Sequence, residues 1–289
     1  MPKHTEMVLG MVMDEWLEVI EQDHEAAVNR LNQSLNLKGD ALLDPNVPPH
    51  TYVGDIDSVP PGECVLLLGI NPKRNFDENF QRVNINLPME CLHNYRNSGK
   101  VVDLENWIQF QNQYFLREER NRRYFNKYGS WLGKHWFTET ASDFSTADWK
   151  QMVCHRHLVE VDTVQYFSHK TGLNPEHLAD LIQTDPALGA NMRLIEAIIK
   201  KIKPKWVQVT GKSGWVIIER LFGHGTFTDA NPGDKQGTEL KMGHVKIGET
   251  VTPVLMTKFF GSMAGVNSNK EKDEVAHAWK RWMSHHGHP

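Results

Sequence analysis

Cysteine is scarce in this chain, since its 289 residues include three cysteines and none of them forms a Cys-x-x-Cys pair. A disulfide framework and a four-thiolate iron–sulfur cluster are therefore excluded. Reduced thiols are typical of the cytoplasm, and the first residues carry no basic flank followed by an unbroken apolar core. We therefore expect a cytoplasmic protein.

Long apolar runs and a strong charge of one sign are also missing. No stretch approaches the length of a membrane span, so we expect no contact with a membrane. The formal net charge is −4, which excludes a general basic coat for nucleic acid and leaves any phosphate contact to a local patch. The length suits one large domain, with two small domains as the alternative.

We expect a single domain over residues 1–289, with a helical N-terminal extension over 1–50 and a helical insert over about 89–140. Apolar residues at helical spacing predict one helix within 7–37, followed by a proline-rich linker. The insert is rich in both aromatic and basic side chains.

Four apolar segments predict the principal strands, namely the start of 64–73 and residues 157–164, 206–210 and 253–259. Helical segments lie between them, and Pro175 and Pro186 stand where prolines open helices. Strands that alternate with helices predict an α/β fold. We expect a three-layer α/β/α sandwich around a central, mostly parallel, four-stranded sheet.

The most informative motif ends the first strand, where the apolar run CVLLL is followed by Gly69, Ile70, Asn71 and Pro72. Glycine and proline turn the chain at the carboxyl end of the strand, which is where open α/β sheets bind their ligands. We expect Asn71 to point into that crevice. The alternative is a local turn in which the Asn71 side chain bonds its own backbone.

Three strand ends carry motifs in the order found in the uracil-DNA glycosylase superfamily. Residues 69–72 resemble the first motif of its mismatch-specific and single-strand-selective branches, and 158–164 resembles the strand whose end recognises the flipped base. The third match is to the family's loop that pinches the DNA backbone, and it consists of Gly261, Ser262, Asn267 and Asn269. The resemblance implies a monofunctional DNA N-glycosylase that leaves an abasic site, needs no metal or cofactor, and uses Asn71 to position the attacking water. Gly69, Ile70 and Pro72 would then contact the base.

The first departure from the family is Asp162, which stands where uracil-recognising members have asparagine. An ionised carboxylate only accepts hydrogen bonds, and cytosine presents an amino donor where uracil presents a carbonyl. Asp162 therefore predicts a cytosine-type base. Removal of ordinary cytosine would destroy the host genome, so we expect a modified cytosine, hydroxymethylated or glucosylated, in phage DNA. The alternative is a capping or ion-paired aspartate.

The second departure is Phe260, which occupies the position of the family's histidine or asparagine. Lys258, two residues earlier in the predicted strand, or His169 could supply positive charge to the departing base. The alternatives are an exposed lysine and an exposed loop histidine. Phe76 and Phe80 are the nearest aromatic side chains that could stack on the base, unless they belong to the core.

The remaining candidates concern DNA, either duplex or single-stranded, as the partner of a monomer. Met263 lies where family members insert a wedge into the vacated base stack. Arg117, Arg120 and Arg123 are interleaved with aromatic residues in the insert, which favours contact with DNA and a lid over the site. An amphipathic helix with a solvated charged face is the alternative. Other functions left open are uracil or mismatch repair, nucleic-acid binding with weak catalysis, and nucleotide hydrolysis.

Overall fold

One mixed sheet organises the computed structural model, which describes residues 10–73, 77–143, 148–169, 173–222, 226–233, 238–247, 249–260 and 265–287. In this part of the chain the strands are β1 (Val65–Gly69), β2 (Leu158–Asp162), β3 (Trp206–Thr210), β4 (Phe227–Ala230), β5 (Leu240–Ile247) and β6 (Thr250–Thr257). Their order across the sheet is β2-β1-β3-β6-β5-β4. The first four in this order are mutually parallel, whereas β5 is antiparallel to both β6 and β4.

The expectation of a four-stranded sheet was wrong, because the sheet has six strands in the described part of the chain. The four predicted strands do form the parallel part, but β4 and β5 extend it to a six-stranded mixed sheet. β5 mixes buried residues with more exposed ones without a regular alternation, and it lies next to the edge strand β4. Such a strand carries a weaker sequence signal than the unbroken apolar runs of β1 and β3.

The helices separate the strands as expected for an α/β fold. They are α1 (Met13–Ile20), α2 (His24–Ser34), α3 (Glu78–Gln81), α4 (Leu87–Ser98), α5 (Glu105–Asn112), α6 (Arg122–His135), α7 (Thr138–Asp143), α8 (Trp149–His157), α9 (Pro175–Thr184), α10 (Pro186–Ile202), α11 (Lys212–Phe222) and α12 (Asn269–His285). A π-helical turn at Arg82–Asn86 joins α3 to α4. Among the described residues, no helix has both the length and the apolar character that crossing a membrane demands.

Helices α9 and α10 begin where the sequence predicts. The Asn174 side chain accepts the backbone N–H groups of residues 176 and 177, and Asp185 accepts those of residues 187 and 188. In each case proline follows the capping residue, where its missing N–H costs no helical hydrogen bond.

Alternate residues of β1 face two different apolar clusters. Leu66 and Leu68 pack with residues of α1 and α10, whereas Val65 and Leu67 pack with residues of α6, α8 and α12. Because successive side chains of a strand point to opposite faces, helices cover the sheet on both sides.

The N-terminal segment forms two helices instead of the one expected over 7–37. The helix is interrupted between α1 and α2, where the Asp23 side chain accepts the Ala26 N–H at 3.0 Å and caps α2. Trp16 of α1 is fully buried, meets Trp107 edge to face at 5.1 Å and donates its indole N–H to Thr51 Oγ1 at 2.9 Å. Helix α1 is therefore part of the main core.

The sheet order places a crevice between β1 and β3. The chain runs from β1 to β2 on one side and then crosses to β3 on the other, so the strand order reverses at this point. Open α/β sheets bind ligands outside the carboxyl ends of the strands at such a reversal. Gly69, Asp162 and Thr210 end three of these strands.

Replacing Trp16 with alanine should lower the free energy of unfolding by about 3–5 kcal/mol, because a large buried aromatic side chain leaves a cavity. Urea denaturation followed by circular dichroism measures the change. Leu42→Ala is the control, since Leu42 is 42% exposed, and it should shift stability by less than about 0.5 kcal/mol. Equal effects of the two changes would contradict the burial of α1.

Candidate active site

A cavity of about 460 Å³ opens at the carboxyl ends of the four parallel strands. It is lined by residues that end or follow β1, β2, β3 and β6, including Gly69, Ile70, Asn71, Pro72, Asp162, Thr210, Gly211 and Phe259. Phe80 of α3 also lies in its wall. The structure therefore brings together six of the residues that the sequence proposes for base binding and catalysis. Phe76 lies outside the described residues.

Asn71 is held in one orientation with its carbonyl oxygen unused. Its side chain is buried, with 7% of the residue exposed, and Nδ2 donates to Ser168 Oγ at 2.8 Å. Oδ1 is buried and has no hydrogen-bond partner among the described residues. A buried acceptor without a partner costs about 1–3 kcal/mol, so a ligand or water that donates to Oδ1 would recover that free energy.

Asp162 is the most deeply buried carboxyl group of the cavity, with 4% of the residue exposed. Burial raises its pKa well above the ordinary aspartate range, and the nearby negative charge of Glu160 raises it further. The neutral form is favoured, because ionisation would place a desolvated charge beside another carboxylate. A neutral carboxyl group donates as well as accepts, so the expectation of an acceptor-only Asp162 needs revision.

Glu160 and His50 complete a small cluster with Asp162. Glu160 Oε2 lies 3.6 Å from His50 Nε2, and one nitrogen or oxygen atom from each of the three side chains lies within 4.8 Å of the other two. Among the described residues this is the group whose spacing could admit a divalent cation. A cation would require Asp162 to lose its proton, whereas burial favours keeping it. The cluster therefore suits a shared proton better than a metal ion.

Gly69 is required by the position of Asp162. The two residues are register partners on the parallel strands β1 and β2. A Cβ atom built on Gly69 would collide with Asp162 Oδ1. The glycine therefore lets the carboxyl group lie directly against the β1 backbone at the floor of the cavity.

Lys258 and His169 are not among the residues that line the cavity. Lys258 Nζ lies 3.2 Å from Glu239 Oε2, which also pairs with Lys212 Nζ at 3.0 Å. Strand β6 ends at Thr257, so the strand alternation that would aim Lys258 at a ligand does not apply. Phe260 packs into the core, stacked on Tyr128 with ring centroids 5.1 Å apart. The geometry thus gives no support to either proposed electrophile.

The loop that resembles the DNA-pinching motif is only partly described, because Gly261, Ser262 and Met263 lie outside the described residues. Asn267 Nδ2 donates to the Gly265 carbonyl at 3.2 Å, within the loop itself. Asn269 is the first residue of α12 and lies beside a surface groove.

The aromatic and basic residues of the insert separate in the structure. Its aromatic rings are mostly buried, among them Phe115 and Phe125. The Arg117 guanidinium lies 4.8 Å from the Phe110 ring centroid, and buried Arg120 donates to the Arg117 carbonyl at 2.8 Å. Arg117 and Arg120 therefore make contacts within the protein instead of lying on the solvated charged face of the amphipathic alternative, and Arg120 also lines a cleft next to the cavity.

Arg123 belongs instead to a basic groove of about 680 Å³ on the face of the sheet covered by α6, α8 and α12. The groove is lined by Arg122, Arg123, Asn126, Lys127, Ser130, Lys150, Asn269 and Lys272. Five of these side chains are cationic and none is acidic. Burial, then the charges of Lys127 and Lys150, lower the pKa of Lys272. An anion bound in the groove would relieve this repulsion.

Several cavity residues were missed by the sequence reasoning. Glu160 lies two residues before Asp162 on the same strand, so the alternation of side chains could have found it. His50 lies within the proline-rich linker and carries no local signal. Tyr124 comes from α6, and Phe259 lies against Gly211 with 42% of its surface exposed. These three reach the cavity only through tertiary packing.

Comparison of the sequence with models of known protein families finds no match, and comparison with curated proteins finds no significant match. The function is therefore inferred from the arrangement of the side chains.

The stability of the protein should depend on pH through Asp162. Its pKa is raised on folding, so the unfolded chain loses a proton above about pH 4 that the folded chain keeps. Wild-type stability should therefore fall, relative to Asp162→Asn, as the pH rises from about 4 towards the raised pKa. The difference should grow by up to about 1.4 kcal/mol per pH unit, measured by urea denaturation at several pH values.

Asp143→Asn is the control, because Asp143 is exposed at the end of α7. Its stability should follow that of the wild type at every pH. A constant difference between wild type and Asp162→Asn would show that Asp162 ionises in the folded chain as it does in the unfolded one.

Proposed function

We propose that this protein is a monofunctional DNA glycosylase of the uracil-DNA glycosylase type, built on a three-layer α/β/α sandwich. It would hydrolyse the N-glycosidic bond of a modified cytosine in foreign DNA, such as hydroxymethylated or glucosylated cytosine in phage DNA, and leave an abasic site. The observation that carries this proposal is the cavity at the strand ends, where buried Asp162 lies in the wall and Oδ1 of buried Asn71 has no hydrogen-bond partner within the described part of the chain.

Asn71 has the properties required to position water. Breaking the glycosidic bond makes the sugar cationic, and a water molecule must then attack the anomeric carbon. Asn71 Oδ1 can accept a hydrogen bond from that water, while Ser168 fixes the amide through Nδ2. An amide is a weak base, so its contribution is orientation of the water more than removal of its proton.

The cavity has room for more than an ordinary pyrimidine. Its volume of about 460 Å³ falls within the range of about 300–1,000 Å³ that is typical of sites for drug-sized ligands. A base that carries a sugar would use this room, and plain uracil would leave much of it filled with water. The aromatic residues in the wall, Phe80, Tyr124, Phe167 and Phe259, offer faces on which a flipped base can stack.

A cleft next to the cavity shares lining residues with both the cavity and the basic groove. The lining of the cleft also includes the acidic residues Asp77, Glu118 and Glu119. Lys73, Phe80 and Asn121 line both the cavity and this cleft, and Arg122 and Arg123 line both the cleft and the groove. DNA phosphates bound in the groove would therefore place a flipped nucleotide within reach of the cavity. The net charge of the chain is negative, so this local concentration of cations supports contact with a polyanion.

The direct test is a base-release assay on genomic DNAs that carry cytosine, hydroxymethylcytosine, glucosylated hydroxymethylcytosine or uracil. Alkali cleaves the strand at abasic sites, and chromatography identifies the released base. We expect release of the modified cytosine alone. Release of uracil alone would establish a repair glycosylase instead. Binding without release would indicate a nucleic-acid-binding module, and hydrolysis of free nucleotides without DNA would indicate a nucleotide hydrolase.

Asn71→Ala should slow base release by about 100-fold or more, because the attacking water loses its acceptor. Ser168→Ala should give a smaller loss, since the amide remains but its orientation is no longer fixed. Single-turnover kinetics measure both rates, and DNA binding should be unchanged. Asn46→Ala, at an exposed position outside the cavity, is the control and should keep the wild-type rate. A wild-type rate for Asn71→Ala would remove Asn71 from the mechanism.

Replacing Arg122 and Arg123 together with alanine should weaken duplex binding and make it less dependent on salt. Each lost phosphate contact should reduce the slope of log K against log salt by about 0.9. Fluorescence anisotropy at several salt concentrations measures this slope. The control is Lys200→Ala with Lys246→Ala, two exposed lysines outside the groove. An equal change in slope for the control pair would show that the groove is not the DNA contact.

A further inference from the structure

Asp162, a buried carboxyl group whose protonated form is favoured, lines the cavity together with Glu160, His50 and Asn71. Glu160 and Asp162 lie on the same face of β2, and both residues are more than nine-tenths buried. A second, independent observation points to a polar ligand in this cavity. Asn71 Oδ1 is buried and has no hydrogen-bond partner among the described residues, so a group that donates a hydrogen bond could bind there.

We propose that Asp162 is the general acid of the reaction, donating its carboxyl proton to ring N3 of a cytosine-type base while its other oxygen accepts from the exocyclic amino group. This inference rests on the proposed function and names the chemistry by which the same site selects its substrate. Glu160 is a positioning residue, because its negative charge keeps the proton on Asp162.

The step balances without a further reactant. The C1′–N1 bond breaks, and its electron pair goes to the base as N3 takes the proton from Asp162, so the base departs neutral. A water molecule held by Asn71 Oδ1 forms the new C1′–O bond. The proton that this water loses returns to the Asp162 carboxylate through solvent. The net reaction consumes one water and gives an abasic site and the free base.

Selection for cytosine over uracil then arises in the transition state. A neutral carboxyl group could bond the edge of either base, because its proton can sit on either oxygen. Cytosine N3 carries a lone pair that can take the proton, whereas uracil N3 already carries a hydrogen. Only a cytosine-type base can therefore be activated at N3. Interactions that strengthen in the transition state raise the rate, so uracil can bind and still react slowly.

The other charged and titratable groups that line the cavity are compatible with a neutral Asp162. They are His50, Lys73, Tyr114, Tyr124, Glu160 and Lys212. Burial raises the pKa values of Tyr114 and Tyr124, so both phenols stay neutral. The Lys212 ammonium pairs with Glu239, and Glu160 contributes a negative charge next to Asp162 on β2. Lys73 is the exposed cation at the rim.

The first experiment measures single-turnover base release from modified-cytosine duplex against pH. The wild-type rate should fall as the pH rises through the ionisation of Asp162. Asp162→Asn should be at least 100-fold slower, with no such fall, because it keeps the shape and hydrogen-bonding capacity but has no proton to give. Glu160→Gln should move the fall in rate to lower pH, because it removes the negative charge beside Asp162. The proposal is overturned if Asp162→Asn stays within threefold of the wild-type rate, or if Glu160→Gln leaves the fall in rate at the wild-type pH.

The second experiment does not depend on turnover. Cytosine labelled with ¹⁵N at N3 is bound to the wild-type protein and to Asp162→Asn, and the N3 resonance is followed against pH. In the wild-type complex the resonance should show a hydrogen bond from the Asp162 carboxyl group that is lost as the pH rises through the ionisation of Asp162, whereas in the Asp162→Asn complex it should not change over that range. An N3 resonance in the wild-type complex that does not respond to this ionisation overturns the proposal even if base release occurs. The expected response without release from any DNA supports the contact between Asp162 and N3 and removes the proposed glycosylase function.

A metal-based role of the cluster is tested in the same assay. Protein treated with EDTA should keep its rate and its pH profile. Loss of activity and of its pH dependence after EDTA, with recovery on addition of Mg²⁺ or Zn²⁺, would overturn the proton-donor assignment. It would show instead that the three side chains bind a cation.

Discussion

The close pairing of β1 with β2 determines most of what this site can do. Register places Gly69 directly beside Asp162, and the missing side chain of glycine lets the carboxyl group lie against the β1 backbone. That position removes Asp162 from water and sets it beside Glu160, which together favour its protonated form. The same strand end directs Asn71 into the cavity, where Ser168 holds its amide. A bulkier residue at position 69 would disturb the carboxyl group and the cavity floor together.

This local arrangement changes how Asp162 would act in the proposed recognition of a base. An ionised carboxylate would select cytosine by rejecting the uracil carbonyl in the bound state. A neutral carboxyl group could form hydrogen bonds with either base. Discrimination would then depend on whether N3 of the base can accept a proton, which is possible for cytosine and not for uracil. The size of the cavity, its aromatic wall and the cleft that shares lining residues with a groove of five cations are consistent with a large modified base presented by DNA. Charge and shape thus support one proposal from separate parts of the structure.

The sequence predicted the parallel half of the sheet well, because buried parallel strands are short unbroken apolar runs that end in glycine or polar residues. The bounds of β3 agree with the prediction, and the starts of α9 and α10 follow from Asn174, Asp185 and the prolines after them. The antiparallel strands β4 and β5 were not among the four predicted strands, since their partly exposed residues give a weaker pattern than an unbroken apolar run. Lys258 was assigned to a strand face that ends one residue earlier, at Thr257. Arg117 and Arg120 were proposed for DNA contact, yet both pack within the protein.

The sequence by itself determined the α/β class, the strand ends and the identities of Gly69, Asn71 and Asp162 as residues at those ends, because these depend on local hydrophobic pattern and turn chemistry. Only the tertiary structure decided which distant residues join them. His50 comes from a linker and Tyr124 from a helix of the insert. The groove combines α6 and α8 with α12, which lies much later in the chain. It also decided the direction in which the pKa of Asp162 is shifted, because a pKa depends on burial and on neighbouring charges, and both depend on how the whole chain packs.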